Sequence, residues 1–304
     1  EVGSTFASPK RLAGSAPEAP ALSSANVNEN RSAGTQVGSL TAIDVDQVDA
    51  QVMQLVSGAG SADNGLFRIS GNQLVLNVKP DYELKSQYQI RVRATDSGRN
   101  SVEQPLIVTV NDLLEVEQSV TGDGTAQRSM VQQLSVRFDN IVNIDPGALT
   151  VTRRDGNGMA GGVVTTAFTT QVVNSRTVAT ITFSGAMTRD AFGTLVDGYY
   201  TLVIDGSKVH RVGLASLLDG NRDGDEGGDY AFGSVATDKF FARFGDLDGD
   251  GIVGSNDYSQ FTQAYGKSAG QAGYRRELDY KGVGLIRVFD FNEIRRRLNV
   301  LLQF

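Results

Sequence analysis

The sequence predicts a mostly β protein: two tandem β-sandwich domains, then a small α-helical module built on an EF-hand-type loop at the C-terminus. Three observations carry that fold class. Short segments between about residues 23 and 243 alternate apolar and polar side chains at a period of two, which sets one face of each strand in a core and the other in water. Turn residues separate these segments, and the chain holds 35 glycines. Near the C-terminus the apolar period lengthens to three and four residues, the stripe of an amphipathic helix.

Composition narrows the function classes. A chain of 304 residues, 21% charged and 40% hydrophobic, suits two or three folded domains. The net charge of −7 and pI near 4.9 argue against nucleic acid as a partner and suit a protein that holds cations. With no cysteine and one histidine, cysteine catalysis is excluded and a zinc enzyme is close to excluded. Disulfides cannot brace the fold, and calcium is a substitute outside the cell. No apolar run is long enough to cross a bilayer as a helix, so membrane insertion is not expected. No signal peptide is visible at Glu1, which reads as a processed product or a piece of something longer.

Each element follows in order. Residues 1–22, with GSAPEAPALSSA, read as a linker or tail, the alternative being a first strand tied to the next domain. Residues 23–113 read as the first sandwich: Tyr88, Ile90, Val92 and Ala94 alternate with Gln89, Arg91 and Arg93, and the rows Leu74, Leu76, Val78 and Leu106, Val108, Val110 do likewise. Residues 114–243 read as a second sandwich, with rows Leu134, Val136, Phe138; Ala179, Ile181, Phe183; and Tyr200, Leu202, Ile204. Asp145-Pro146-Gly147 and Asp155-Gly156 mark its turns. Residues 244–304 form the helical module, with one stripe of Tyr258, Phe261 and Tyr265 and another of Phe291, Ile294, Leu298 and Leu301.

The chemistry sits in acidic loops. In GDLDGDGIVGSNDY, residues 245–258, Asp246, Asp248 and Asp250 take positions one, three and five of a calcium loop. Gly251 falls at the sharp turn of position six, Ile252 offers its carbonyl at seven, and Asp257 closes the loop at twelve with a shorter side chain than the usual Glu. Crowded carboxylates repel, so a hard divalent cation held by oxygen is the natural stabiliser. LLDGNRDGDEGGDY repeats the theme: Asp219, Asn221, Asp223 and Asp225 take positions one, three, five and seven, with Gly224 at six and Asp229 at eleven. This second site is predicted to bind calcium with looser geometry.

Two resemblances follow from these residues. Residues 23–113 resemble a cadherin-type repeat, on five motifs in order: Asn28-Glu29-Asn30, Asp44 and Asp46 in AIDVDQ, Asp81 and Glu83 in PDYE, Asp96 and Gly98 in ATDSG, and Asn111 and Asp112 in TVNDL. The resemblance implies calcium held at two poles: Asp44, Asp46 and Asp96 at the leading pole, and Glu29, Asp81, Glu83 and Asp112 at the trailing pole. Thr109 and Leu113 replace two expected ligands, and no partner motif precedes the domain, which implies a half-site at the leading pole. Residues from about 238 to 304 resemble a dockerin-type tandem of two loop–helix units. The resemblance starts the second loop at Asp279 and ends it at Asp290, with Lys281 and Val283 at ligand positions three and five. A lysine ammonium repels a cation, so this loop is predicted to be metal-free. Dockerins dock on cohesins, which makes a cohesin-like partner one expectation that the degenerate loop weakens.

Other features read as structural. His210, in KVHRVG, has no nucleophile elbow or orienting motif to serve. The acids cluster in metal spacing and not as isolated pairs in apolar strands, so the chain is predicted not to be an enzyme, with no catalytic residue and no cofactor but Ca2+. Arg295, Arg296 and Arg297 read as a solvated helix face or a docking surface for an acidic partner. Together these readings predict a calcium-stabilised extracellular structural or adhesion protein of a bacterial cell surface or extracellular assembly. Self-association or other cell-surface domains are its expected partners. The alternatives are a non-catalytic docking segment of a larger secreted enzyme, or a carbohydrate-binding module, which the absence of Trp weakens and nine Tyr keep open.

Overall fold

A computed structural model describes residues 16–44, 51–154 and 161–302. The chain divides into two compact units, Glu1–Leu113 and Leu114–Phe304.

The described part of the first unit holds eight strands: β1 (Ala21–Leu22), β2 (Asn26–Asn28), β3 (Gln36–Thr41), β4 (Val52–Leu55), β5 (Phe67–Ser70), β6 (Gln73–Leu76), β7 (Gln87–Thr95) and β8 (Ser101–Asn111). They form two sheets, ordered β1-β3-β6-β5 and β2-β8-β7-β4. All pairs are antiparallel except β2 with β8. The alternating rows explain the sandwich: Tyr88, Ile90, Val92 and Ala94 of β7 are buried and pack with Leu74, Leu76, Val108 and Val110 in one core. Phe67 meets Tyr88 edge to face at 5.6 Å, the arrangement ring quadrupoles favour. Val78 lies outside that core row, because β6 ends at Leu76. Within the segment read as a linker or tail, Ala21 and Leu22 pair with Thr41 and Leu40, and the Glu18 N–H donates to the Ile43 carbonyl.

The second unit adds β9 (Val116–Thr121), β10 (Gln133–Phe138), β11 (Val142–Ile144), β12 (Leu149–Arg153), β13 (Gly162–Val163), β14 (Thr165–Val173), β15 (Arg176–Ser184), β16 (Gly198–Ile204), β17 (Val209–Arg211), β18 (Tyr230–Phe232) and β19 (Phe240–Ala242), then α1 (Ser255–Ala264) and α2 (Val288–Arg295). One sheet runs β14-β15-β10-β9, and the other runs β13-β12-β16-β18 with β19 also on β16. Leu134, Val136, Phe138, Ala179, Ile181, Phe183, Tyr200, Leu202 and Ile204 are all buried in the core between them.

The loop-bearing segment has its own small core of Phe244, Leu247, Val253, Phe261, Leu278, Ile286 and Ile294. It is bound tightly to the β region. The N–H groups of Arg128 and Ser129 donate to the Asp246 carbonyl at 2.9 and 3.0 Å, and the Ser129 hydroxyl donates to the Glu277 carbonyl at 2.5 Å. Arg189 donates to the carbonyls of Tyr280 and Ser129, each at 2.7 Å, with its guanidinium stacked 4.7 Å from Phe244 and 4.6 Å from Tyr280.

The structure differs from two sequence expectations. The second apolar stripe does not lie on one helix. α2 ends at Arg295; Leu298 bridges to Val253 and Leu301 to Ile252, with Asn299 in the left-handed region at φ +57° to turn the chain. Nor do the three arginines share a solvated face. Arg297 is half-buried, its guanidinium 2.5 Å from Asp197 and 2.9 Å from Glu293, while Arg296 stays exposed beside Glu293. Two carboxylates offset the cost of desolvating Arg297, which an open face would not need.

Candidate metal centres

The loop after β19 gathers its acids as the spacing requires. Ligand oxygens of Asp246, Asp248 and Asp250 lie within 4.8 Å of one another. Asp246 is fully buried, and its two oxygens accept from the N–H groups of Gly249 at 2.6 Å and Gly251 at 2.9 Å. Burial pushes its pKa up to about 6, the charges of Asp257 and Asp250 push the same way, and the two backbone donors oppose them. Asp250 accepts from the Ile252 N–H at 2.7 Å, and Asp248 from Asn256 at 3.3 Å. Ile252 pairs with Leu301. Asp257, in the first turn of α1, accepts from the N–H groups of Leu247 at 2.9 Å and Gly254 at 2.8 Å, and so ties the two ends of the loop together. Carboxylate oxygens gathered around a buried, charge-averse Asp246 fit a hard oxygen-seeking cation.

The loop from Asp279 is the same scaffold with a different filling. Asp279 accepts from Val283 and Gly284 at 3.1 and 2.6 Å, and from the Tyr274 hydroxyl at 3.0 Å. Asp290 accepts from Tyr280 and Arg287, both at 2.8 Å, matching Asp257 position for position. Burial raises the Asp290 pKa against those two donors. At the third position the Lys281 ammonium lies 4.4 Å over the Phe289 ring, and Val283 at the fifth offers no side-chain oxygen. These residues do not fit a calcium ion.

The loop from Asp219 keeps part of the frame. Buried Asp219 accepts from Asp223 at 3.1 Å and Gly224 at 3.0 Å. In all three loops the first aspartate takes the N–H of the glycine at position six, and those glycines have φ of +87°, +89° and +84°, which favours residues without a Cβ. Asp223 accepts from Asn221 and Asp225 at 2.8 Å each. Asp229 is turned to the N–H of Gly206 at 3.1 Å. Among the described residues, no group of three acidic ligands forms in this loop.

In the first unit, Glu29 is buried and accepts from Tyr82 at 2.9 Å and Leu113 at 2.7 Å. Its ligand oxygen and those of Asp81 and Glu83 lie within 4.8 Å of one another. Asp112 follows β8, next to the Leu113 that donates to Glu29. Asp96 follows β7 and spends both oxygens on Asn100, on its N–H at 2.8 Å and its amide at 2.9 Å. Asp44 follows β3, half-buried, and Asp46 lies outside the described residues. Since β7 begins after Asp81 and ends just before Asp96, these two acids stand toward opposite ends of a strand about 30 Å long and cannot share an ion.

Sequence reading missed the supports. Asp197 accepts from the Phe244 N–H at 3.0 Å and pairs with Arg297, fixing the start of the Asp246 loop. Gly249 must be glycine because a Cβ there would meet the Ala126 carbonyl at 2.3 Å. His210, on β17, lies 3.0 Å from the Asp145 carboxylate.

Comparison with known proteins bears on the first unit. Residues 23–111 match the family model of the cadherin domain. Similar solved structures include the third cadherin domain of human protocadherin 7, at 22% identity over 36% of this chain and 95% of that one, with a TM-score of 0.26. They also include cadherin domains 1–4 of protocadherin gamma B7 (18% identity, 62% of this chain, 45% of that one, TM-score 0.28). The human desmocollin-1 ectodomain is a third (14% identity, 64% and 37%, TM-score 0.31). This chain spans less than half the length of the latter two. No curated protein matches it.

Proposed function

We propose that this chain is a non-enzymatic, calcium-stabilised extracellular protein with a structural or adhesive role, at a bacterial cell surface or in an extracellular assembly. The observation that carries the reading is the Asp246–Asp248–Asp250 cluster, with oxygens within 4.8 Å and the first carboxylate buried. The Glu29–Asp81–Glu83 cluster and the cadherin-domain match around it support calcium in the first unit as well. The dockerin-like tandem supports the bacterial setting.

Calcium supplies positive charge among carboxylates that otherwise repel, so its binding free energy becomes folding free energy. The residues prepare for it: Asp257 fastens the loop ends, the position-six glycine turns the chain, and Asn256 orients Asp248. The second tandem loop keeps the scaffold and lacks the donors, so the reading does not require a cohesin-like partner. The partners proposed are further copies of this chain or other surface domains.

Sedimentation velocity of the full chain, with saturating calcium and with chelator, tests the role. Calcium-dependent association that reverses on chelation is expected. A monomer in both conditions at all concentrations contradicts an assembling role.

A further inference from the structure

Among the described residues, the longest sheet edge of the second unit carries no charge, no proline and no bulge to keep strand edges apart. Edge strands are normally short, charged, interrupted by proline or bulged. Strand β14, TTAFTTQVV, has no charge and no proline, and among the described residues it pairs on one side only, with β15, in an unbroken register from Thr165↔Ser184 to Val173↔Arg176. The opposite edge, β9, carries Glu117 held by Arg137 and Arg176. In the first unit, β8 carries Glu103 and Pro105 where it runs past β2. The edge strands β1, β2, β4, β5 and β13 are each two to four residues long.

A second observation concerns the faces of β14. Directly paired residues share a face, so Thr166, Phe168, Thr170 and Val172 lie on the side of their buried partners Phe183, Ile181, Ala179 and Thr177. Yet Phe168 is 37% and Val172 60% exposed. The strand overhangs the core that it faces.

The backbone selects the partner. Asn174 and Ser175, at φ +51° and +61°, make a two-residue type I′ turn, which closes on Val173 and Arg176 as a hydrogen-bonded pair. The N–H and C=O groups of Thr166, Phe168, Thr170 and Val172 then point outward along the edge.

We propose that β14 is a self-pairing edge, taking the β14 of a second copy antiparallel about a two-fold axis at Thr169. In this register Phe168 faces Thr170 and Thr166 faces Val172, so outward-bonding residues meet outward-bonding residues. The two Phe168 rings become diagonal neighbours over the overhanging face. A second copy fits because the contact sets no like charges together, in a chain whose net charge of −7 opposes self-approach elsewhere. The two-fold closes a dimer instead of extending a fibre. The inference goes beyond the calcium reading and does not rest on it, since β14 holds no acidic residue.

The chain has no cysteine, so Thr169→Cys introduces the only thiol. Across this axis residue 169 meets its own copy in a non-hydrogen-bonded pair, with Cα atoms about 4.5 Å apart, within disulfide reach. Mild oxidation of the full-length Thr169→Cys chain in calcium is expected to give a covalent dimer. Thr165→Cys, which faces Val173 in this register, is expected to give none. Thr169→Lys sets two ammonium groups opposite each other and should weaken dimerisation by about tenfold or more, while an unchanged melting temperature shows the fold intact. A wild type that stays monomeric overturns the proposal, as does cross-linking of Thr165→Cys equal to that of Thr169→Cys. Association in calcium that Thr169→Lys leaves untouched also overturns it, and leaves the calcium reading standing.

Discussion

At Asp246 the fold creates a charge problem that its backbone solves only in part. Two N–H donors cannot hold the buried carboxyl at its ordinary pKa, which rises to about 6. A raised folded pKa contributes stability that is fully present below about pH 4 and is lost as pH rises through about 6. In chelator, the second unit should therefore be more stable at pH 5 than at pH 7.5 by about 1 kcal/mol. Urea melts should show that slope flattened by Asp246→Asn. Asp248→Ala should weaken calcium binding by about tenfold or more, and an unchanged isotherm would remove Asp248 from the ligand set. The acidic cluster was legible because a loop of calcium-binding spacing sets its acids at fixed positions in one short segment. Gly249 was not legible: what forbids a side chain there is the Ala126 carbonyl, more than a hundred residues earlier in the chain.

Among elements, the two tandem loops share a scaffold and differ in their acids. Both have a first aspartate on the position-six glycine and a last aspartate spanning the loop ends, and only one has acids at positions three and five. Asp279→Ala should leave calcium stoichiometry unaltered in a titration. It should still destabilise the unit by about 1–3 kcal/mol, since Val283, Gly284 and Tyr274 lose an interior acceptor. Loss of a calcium equivalent would show metal in that loop. The core strands β7, β10, β15 and β16 could be read from period two because one face of each is buried. The end of α2 could not, because Leu298 and Leu301 continue the helical spacing while the chain has already turned back to bridge Val253 and Ile252. Pairing of Arg297 with Asp197 is a tertiary event, and helical periodicity carries no sign of it.

For the whole molecule, the loop-bearing segment belongs to the second unit and is not a loosely tethered appendage. Arg189 stacks on Phe244 and Tyr280 and bonds to carbonyls on both sides of the junction, and the Asp246 carbonyl accepts from Arg128 and Ser129. Calcium at Asp246 should thus stabilise the β-sandwich as well, and Arg189→Met should split the unfolding of this unit into two transitions. Composition showed an acidic, cysteine-free chain, but the junction is built from arginines scattered through the sequence, which no local pattern links. The most direct test of calcium as the stabiliser of this fold is differential scanning calorimetry of the full chain in saturating calcium and in chelator, with Asp248→Ala alongside. The account predicts a clear rise in the melting temperature of the second unit with calcium, strongly reduced in Asp248→Ala. Superimposable melts of the wild type in calcium and chelator would contradict it.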